Sequence, residues 1–293
     1  MERFCIIVNS EKDHNHKTAL YIMDYLKKKD KSCFLAASIT NSGSADRINE
    51  IPEETECAIV LGGDGTIIQA ANDLVHRDIP ILGVNLGTVG YLAEIEKQNI
   101  VTALEKLFAD DCQIEKRLML NGEVFSGNKN AEGEGILNLH KGCALNDIFV
   151  TKSSVCRLVE IKLYINEKLI DTYVGDGVII STPTGSTGYN LSAGGPVLEP
   201  GINALVITPI CPHSLNKRSL VVSDVDKIRM EIGRCKERHP DEAVVYFDGN
   251  EISPLVTGDF ISITRAKENT QIIKLTENSF FDILKNKLGR EKV

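Results

Sequence analysis

A chain of 293 residues with a formal net charge of −8, 42% apolar and 25% charged residues and no tryptophan has the make-up of a globular protein with room for two ordinary domains. The acidic balance excludes a sequence-independent nucleic-acid binder, which needs a basic face. No apolar run approaches the ~18–20 residues that span a bilayer, so a membrane helix is excluded as well. Residues 1–9 (Met-Glu-Arg-Phe-Cys-Ile-Ile-Val-Asn) turn polar too soon for a secretory signal and read as a first strand, so a cytoplasmic protein is expected. The eight cysteines are scattered without zinc-ligand spacing and read as free thiols, most of them buried.

Up to about residue 110, short apolar runs alternate with helical stripes: strands at 4–8, 33–37, 58–61 and 79–84, helices at 17–28, 66–77 and 99–108. A polar stretch fills 40–56. Such alternation implies a Rossmann-like, mostly parallel sheet covered by helices, with ligands at the carboxyl ends of its strands. From Cys112 onward the period changes to two. Val159, Ile161, Leu163 and Ile165 alternate with polar residues, as do Ile228, Met230 and Ile232, and apolar runs recur at 148–150, 178–180, 205–207, 244–247 and 260–263. The expected organisation is an α/β domain over 1–115, joined by a C-terminal helix at 276–293 that Asn278 can cap, and a β-rich domain over 116–275. Residues 126–135, rich in Gly, Asn and Lys, read as an exposed excursion.

The chemistry concentrates at Gly62-Gly63-Asp64-Gly65-Thr66, where the strand 58–61 turns into a helix. Glycines there permit positive φ and close approach of a ligand, Thr66 can cap the helix, and free N–H groups at a helix start attract phosphate oxygens. A bare Asp-Gly hairpin would need a strand after Gly65, and the residues that follow carry a helical stripe instead. The stretch lacks the lysine of a P-loop, and Ile68 stands where Gly-x-Gly-x-x-Gly needs glycine. Three further stretches stand out. Asn146-Asp147 can read a ribose or base edge. The long loop from Asp176-Gly177 through 181–196 is dense in hydroxyls and glycines around Tyr189, more than a connector needs. Pro212-His213-Ser214-Leu215-Asn216-Lys217-Arg218 offers cations for an anion, or a plain solvated turn.

Together these stretches resemble the NAD kinase family, ATP-dependent enzymes that phosphorylate NAD on the 2′-hydroxyl of its adenosine ribose, and the resemblance runs over nearly the whole chain. Residues 62–66 are similar to the family's first glycine motif, Asn146-Asp147 to its Asn-Glu/Asp pair, 176–196 to its signature loop and 212–215 to a later motif. The first motif is shared in similar form by lipid kinases and phosphofructokinases, whereas the long loop is specific. The resemblance implies a β-sandwich-like C-terminal domain, an active site between the two domains, and a homodimer or homotetramer that binds neither nucleic acid nor membrane.

Carried over residue by residue, Asp64 is the general base beside the 2′-hydroxyl and a candidate Mg2+ ligand, and Gly62, Gly63, Gly65 and Thr66 form the phosphate turn. Asp64, Gly65, Asn146, Asp147, Arg157, Val174, Asp176, Thr187, Gly188, Tyr189, Asn190, Leu191, Ser192 and Asn250 hold the dinucleotide. Gly188 departs from the usual alanine, Asn250 from the common glutamine, and Val174 stands where many members have a basic or polar side chain. Phosphoryl transfer needs positioning, charge neutralisation by a divalent cation such as Mg2+, and a carboxylate for the hydroxyl proton; ATP or inorganic polyphosphate is the expected donor. An aspartate near its reference pKa of about 3.9 is a poor base for an alcohol, so the metal and late proton transfer must assist. A lipid kinase sharing the glycine turn would want an apolar acyl channel, which the sequence does not offer. A silent NAD(P) sensor would not need Asp64.

Overall fold

The structure is a computed structural model that describes residues 1–36, 50–87, 90–127, 137–154, 157–214, 216–234, 243–276 and 279–289. It divides into two compact units, 1–117 with 268–293 and 118–267. In chain order the elements are β1 (Arg3–Val8), α1 (Lys17–Lys28), β2 (Ser32–Leu35), β3 (Cys57–Gly62), α2 (Asp64–Asp73), β4 (Ile81–Asn85), β5 (Ile95–Glu96), α3 (Ile100–Phe108) and β6 (Gln113–Phe125). Then follow β7 (Asn138–Ala144), β8 (Asp147–Lys152), β9 (Val159–Ile165), β10 (Lys168–Gly175), β11 (Gly177–Ser181), α4 (Tyr189–Ser192), β12 (Ala204–Ile210) and β13 (Leu220–Ser223). The chain ends with β14 (Ile228–Ile232), β15 (Ala243–Phe247), β16 (Asn250–Leu255), β17 (Phe260–Lys274) and α5 (Phe280–Leu288).

The first unit is built on the parallel strands β2, β1, β3 and β4, with β5 and the end of β17 also parallel to β4. Every residue of β3 and β4 is buried, as strands covered on both faces require. Phe4, Ile6, Ile59, Leu61, Leu82 and Val84 share a core with Ile22 and Leu26 of α1 and Leu104 and Leu107 of α3. On the opposite face Ile67 of α2 lies against Gly83, where a Cβ would collide with its side chain. Helices therefore cover both faces. Asp13 caps α1 by accepting the amides of Thr18 and Ala19. The return of the chain to this unit is made by strand as well as helix: Ile272 pairs with Ile81, and Ile273 and Leu275 enter the core. Helix α5 is capped by Ser279, whose Oγ accepts the Asp282 amide at 3.2 Å; the expected cap Asn278 lies outside the described residues, and Phe281 is 60% exposed.

The second unit stacks two antiparallel sheets. One has the order β13, β12, β11, β8, β15, β16, and the other runs β10, β9, β14 and the first part of β17. Inward residues alternate along each strand and meet in one core: Ile148 and Val150, Val178 and Ile180, Leu205 and Ile207 from one sheet, Ile161 and Leu163, Met230 and Ile261 from the other. Most of the expected excursion at 126–135 lies outside the described residues.

Candidate active site

Three loops meet at the carboxyl ends of the parallel strands. After β1, the Asn9 amide donates to the Leu61 carbonyl at 3.0 Å, and its side chain donates to Thr66 Oγ1 at 3.3 Å. After β4, the Leu86 amide donates to the Gly62 carbonyl at 2.9 Å. Between them lies the glycine turn, with two departures from expectation. Helix α2 begins at Asp64 rather than at Thr66, with Gly63 in the cap position, so Thr66 sits inside the first turn and accepts the Gly63 amide at 3.4 Å. None of Gly62, Gly63 and Gly65 has positive φ. Gly62 leaves room for the Thr66 side chain, whereas nothing stands within 4 Å of where a Gly65 Cβ would point, so Gly65 leaves the helix entrance open.

Asp64 opens α2, where a negative charge complements the helix dipole. Its carboxylate is held by three successive backbone amides: Tyr91 N–H donates to Oδ2 at 2.7 Å, Leu92 N–H to Oδ1 at 3.0 Å and Ala93 N–H to Oδ1 at 3.3 Å. A carboxylate has about four lone-pair sites, so among the described residues one site on Oδ2 stays open. A Cβ at Gly90 would overlap the carboxylate, so position 90 must be glycine for Asp64 to sit as it does. Burial, and after it the Asp64 charge, pushes the Tyr91 phenol above its ordinary range, and Lys287 Nζ of α5 stands 4.3 Å from the Tyr91 ring centre. The sequence places no lysine in the turn, yet folding brings Lys12 Nζ to 2.7 Å from the Cβ position of Gly63. Lys12 and Gly90 belong to the neighbourhood and were missed. Only the pair Gly87 and Gly90 after an apolar strand hinted at the second.

In the second unit, Asn146 and Asp147 sit where β8 begins, beside the signature loop. The Asn146 carbonyl accepts the Thr182 amide at 2.8 Å, Thr182 Oγ1 donates to the Leu145 carbonyl at 2.6 Å, and a Cβ at Gly185 would overlap the Asn146 carbonyl. A Cβ at Gly188 would stand 3.3 Å from the Gly185 carbonyl oxygen and 3.6 Å from Asn146 Nδ2, so glycine at 188 fits here and an alanine would press the turn by a few tenths of an ångström. Phe149 joins β8 to the loop, edge-on to Tyr189 at 5.0 Å and stacked on Tyr246 at 4.8 Å. Asp147 is 4% exposed. Burial first, and the Asp248 carboxylate second, raise its carboxyl to about 7.

The loop separates its polar residues by burial. Ser186 Oγ donates to the Pro183 carbonyl and accepts the Leu198 amide, and Asn190, fully buried, donates to the Ser186 and Pro196 carbonyls and accepts from Thr208 Oγ1. Asn190 therefore has its amide committed inside the loop. Tyr189 and Ser192 are exposed, and Thr187, Gly188 and Leu191 are half-buried. Asp176 pairs with Lys152 at 2.6 Å, and the Val174 carbonyl accepts the His213 amide at 2.9 Å, which joins the later motif to this edge. Leu215 lies outside the described residues. Asn250 is exposed at the end of the β15–β16 turn, and Arg157 is exposed without a side-chain partner among the described residues.

The ATP-NAD kinase N-terminal domain matches residues 4–112 and the ATP-NAD kinase C-terminal domain residues 145–275. The chain is 45% identical over 289 residues to the NAD kinase of Lachnoclostridium phytofermentans, covering 99% of both chains. It is 36% identical over 301 residues to that of Lachnospira eligens, covering 98% of this chain and 100% of the relative. Among solved structures, an NAD kinase from Archaeoglobus fulgidus in complex with ATP is similar with a TM-score of 0.75 at 25% identity, over 98% of each chain. Yeast NADH kinase complexed with NADH gives a TM-score of 0.85 at 22% identity, covering 100% of this chain and 89% of the other, a likeness of fold.

Proposed function

Because this chain belongs to the NAD kinase family, we propose that it transfers a phosphoryl group from ATP to the 2′-hydroxyl of the adenosine ribose of NAD, giving NADP. The observation that carries the reading is Asp64, a lone carboxylate fixed by three amides at the head of α2 with an open lone pair on Oδ2. In this reading the open lone pair accepts or orients the 2′-hydroxyl proton, and the bound amides keep the carboxylate from turning away. The open face at Gly65 admits donor phosphates to the start of α2, and Lys12 supplies a positive charge at its edge. Phosphoryl transfer depends mainly on such positioning and charge neutralisation.

The divalent cation fits a substrate-borne arrangement. Among the described residues no three of His, Cys, Asp and Glu gather, and Mg2+ is commonly held by one or two carboxylates together with substrate phosphates; the single open Oδ2 site of Asp64 can serve the metal or the hydroxyl proton, one at a time. When bound, the metal neutralises the charge of the transferring phosphate. Asn146, Asp147, Asp176, Tyr189 and Ser192 present side chains to the dinucleotide, with Arg157, Val174, Thr187, Gly188, Leu191 and Asn250 around them. Asn190 keeps the loop in shape. The enzyme works in the cytoplasm as a homodimer or homotetramer; among the described residues no helix is long and apolar enough to cross a membrane.

The test is a matrix of NAD or NADH against ATP or polyphosphate with Mg2+, product being read by an NADP-specific dehydrogenase, and light scattering for the assembly. NADP formation from NAD and ATP is the expected result. No product with any donor would overturn the reading.

A further inference from the structure

Asp248 lies outside every motif singled out in the sequence. It occupies the first position of the two-residue turn between β15 and β16, with φ 49° followed by 79° at Gly249, and Phe247 pairs with Asn250 across it. Two positive φ values in succession make a type I′ hairpin turn, and Asp-Gly is a preferred pair for it. The turn delivers the Asp248 carboxylate to three successive amides: Leu145 N–H donates to Oδ2 at 2.7 Å, Asn146 N–H to Oδ1 at 2.7 Å and Asp147 N–H to Oδ1 at 3.0 Å. The Asp248 amide in turn donates to the Asp147 carbonyl at 2.9 Å. With Thr182 bonded to the carbonyls of Leu145 and Asn146, the backbone of 145–147 is clamped from both sides.

The side chains it carries are not so engaged. Neither the Asn146 amide nor the Asp147 carboxyl has a hydrogen bond to a described residue, and Asp147 is buried. Polar atoms without a protein partner that are not sealed from solvent can be taken up by a ligand without breaking a bond. Resting on the function proposed above, we infer that Asp248 is the positioning residue of the dinucleotide site. Its carboxylate fixes the 145–147 backbone so that Asn146 and Asp147 meet the ligand, and it stands as a like charge beside the buried Asp147 carboxyl.

Among the described residues the charge that reaches Asp147 is that of Asp248. Asp248 faces it from the hairpin turn, and burial together with that charge raises its carboxyl to about 7. From α4 comes the Tyr189 phenol, itself pushed up by burial and neutral at this pH. Ser181, opposite on β11, carries no charge. A carboxylate accepts a hydroxyl or amino proton of the dinucleotide more strongly than the carboxyl form, which accepts only through its carbonyl oxygen, so a donor on the ligand favours the charged form. Binding therefore releases a proton, and affinity for NAD rises with pH, by up to about tenfold per unit below the midpoint.

Calorimetric titration of the full-length enzyme with NAD, in buffers of differing ionisation enthalpy, reads this directly. The wild type is expected to release about half a proton at pH 7 and progressively less above it, and Asp147→Asn to release none in that range. Asp248→Asn is expected to weaken NAD binding several-fold with the KM for ATP unchanged, and to lower the midpoint by about half a unit or more, because the like charge is gone. Asp248→Glu, which keeps the charge, should restore the midpoint better than the affinity. A folded Asp248→Asn with weakened binding and an unmoved midpoint would reduce Asp248 to a structural role and overturn the inference. So would a wild type that exchanges no proton with NAD between about pH 6 and 8, a measurement that stands even where the variant fails to fold. Normal NADP formation without proton linkage sinks only this inference, whereas absence of NAD binding at every pH sinks the function on which it rests.

Discussion

Replacing Asp64 by asparagine changes one oxygen to an NH2 group and removes the charge, while keeping the size of the side chain. The remaining oxygen can accept either the Tyr91 amide or the Leu92 and Ala93 pair. Whichever way the amide turns, at least one backbone N–H faces another donor. A buried donor left without a partner costs about 1–3 kcal/mol, and at about 2–4 °C per kcal/mol for a unit of this size the thermal midpoint should fall by roughly 3–10 °C. Folding survives such a loss. The catalytic effect is larger, because the open Oδ2 lone pair can no longer take the hydroxyl proton when NH2 occupies its place: kcat should drop by ~10²- to 10⁴-fold. NAD affinity should change little. The assay pairs steady-state rates and calorimetric NAD affinity with a thermal scan on one preparation. Turnover within about threefold of wild type, at full stability or not, would refute the assignment of Asp64 as the acid–base group.

Four more outcomes follow from the same geometry. Gly65→Val should leave the thermal midpoint nearly unchanged, since φ is not positive and the Cβ position is open, yet raise the KM for ATP more than that for NAD; the opposite split would mean the turn serves the other substrate. Val174 shares the outer face of β10 with Glu160 on β9, so Val174→Arg has a carboxylate opposite it. NADP inhibition should therefore tighten only modestly, and by ~1–3 kcal/mol when Glu160→Gln is added; an unchanged inhibition constant at low salt removes position 174 from the site. Asn190→Ala should behave as a loop defect, lowering stability and both substrates' kcat/KM together, where a pure ligand contact would move NAD alone. Asp147 makes stability depend on pH: its carboxyl is raised to about 7 against about 3.9 unfolded, so its contribution is full below pH 4 and is lost as pH rises through 7. Asp147→Asn should therefore gain thermal stability over wild type progressively between those values, on the order of a few kcal/mol, and a constant difference across the range would contradict this.

Strict periodicity made several elements legible. Helix α1 runs over the expected 17–28, and β9 and β14 match their alternating runs. The boundaries of α2 did not follow, because its start is set by Gly63 in extended geometry and its end by a turn that closes on Asp78 with φ 50°, features of the backbone that leave no stripe. Strands β10, β13 and β16 escaped notice since edge strands carry mixed polar and apolar residues. The far end of β17, through Lys-Glu-Asn-Thr, is recognisable as strand only once Ile272 finds Ile81. At the site, carboxylates and glycines were readable as residue types, but the amides of Tyr91, Leu92 and Ala93 that hold Asp64 have no sequence signature. Hydroxyl density in the signature loop likewise could not separate Ser186 and Asn190, turned inward as fasteners, from exposed Tyr189 and Ser192. Burial alone makes that distinction.

The central claim is phosphoryl transfer to one particular hydroxyl of NAD at a site organised by Asp64. It is tested most directly by incubating the enzyme with NAD and γ-labelled ATP and locating the label by 31P and 1H NMR of the dinucleotide product. The account predicts one labelled phosphate on the 2′-oxygen of the adenosine ribose, formed by the wild type and reduced by at least about 10²-fold in Asp64→Asn. Label on another hydroxyl, or equal labelling by the two proteins, would contradict it.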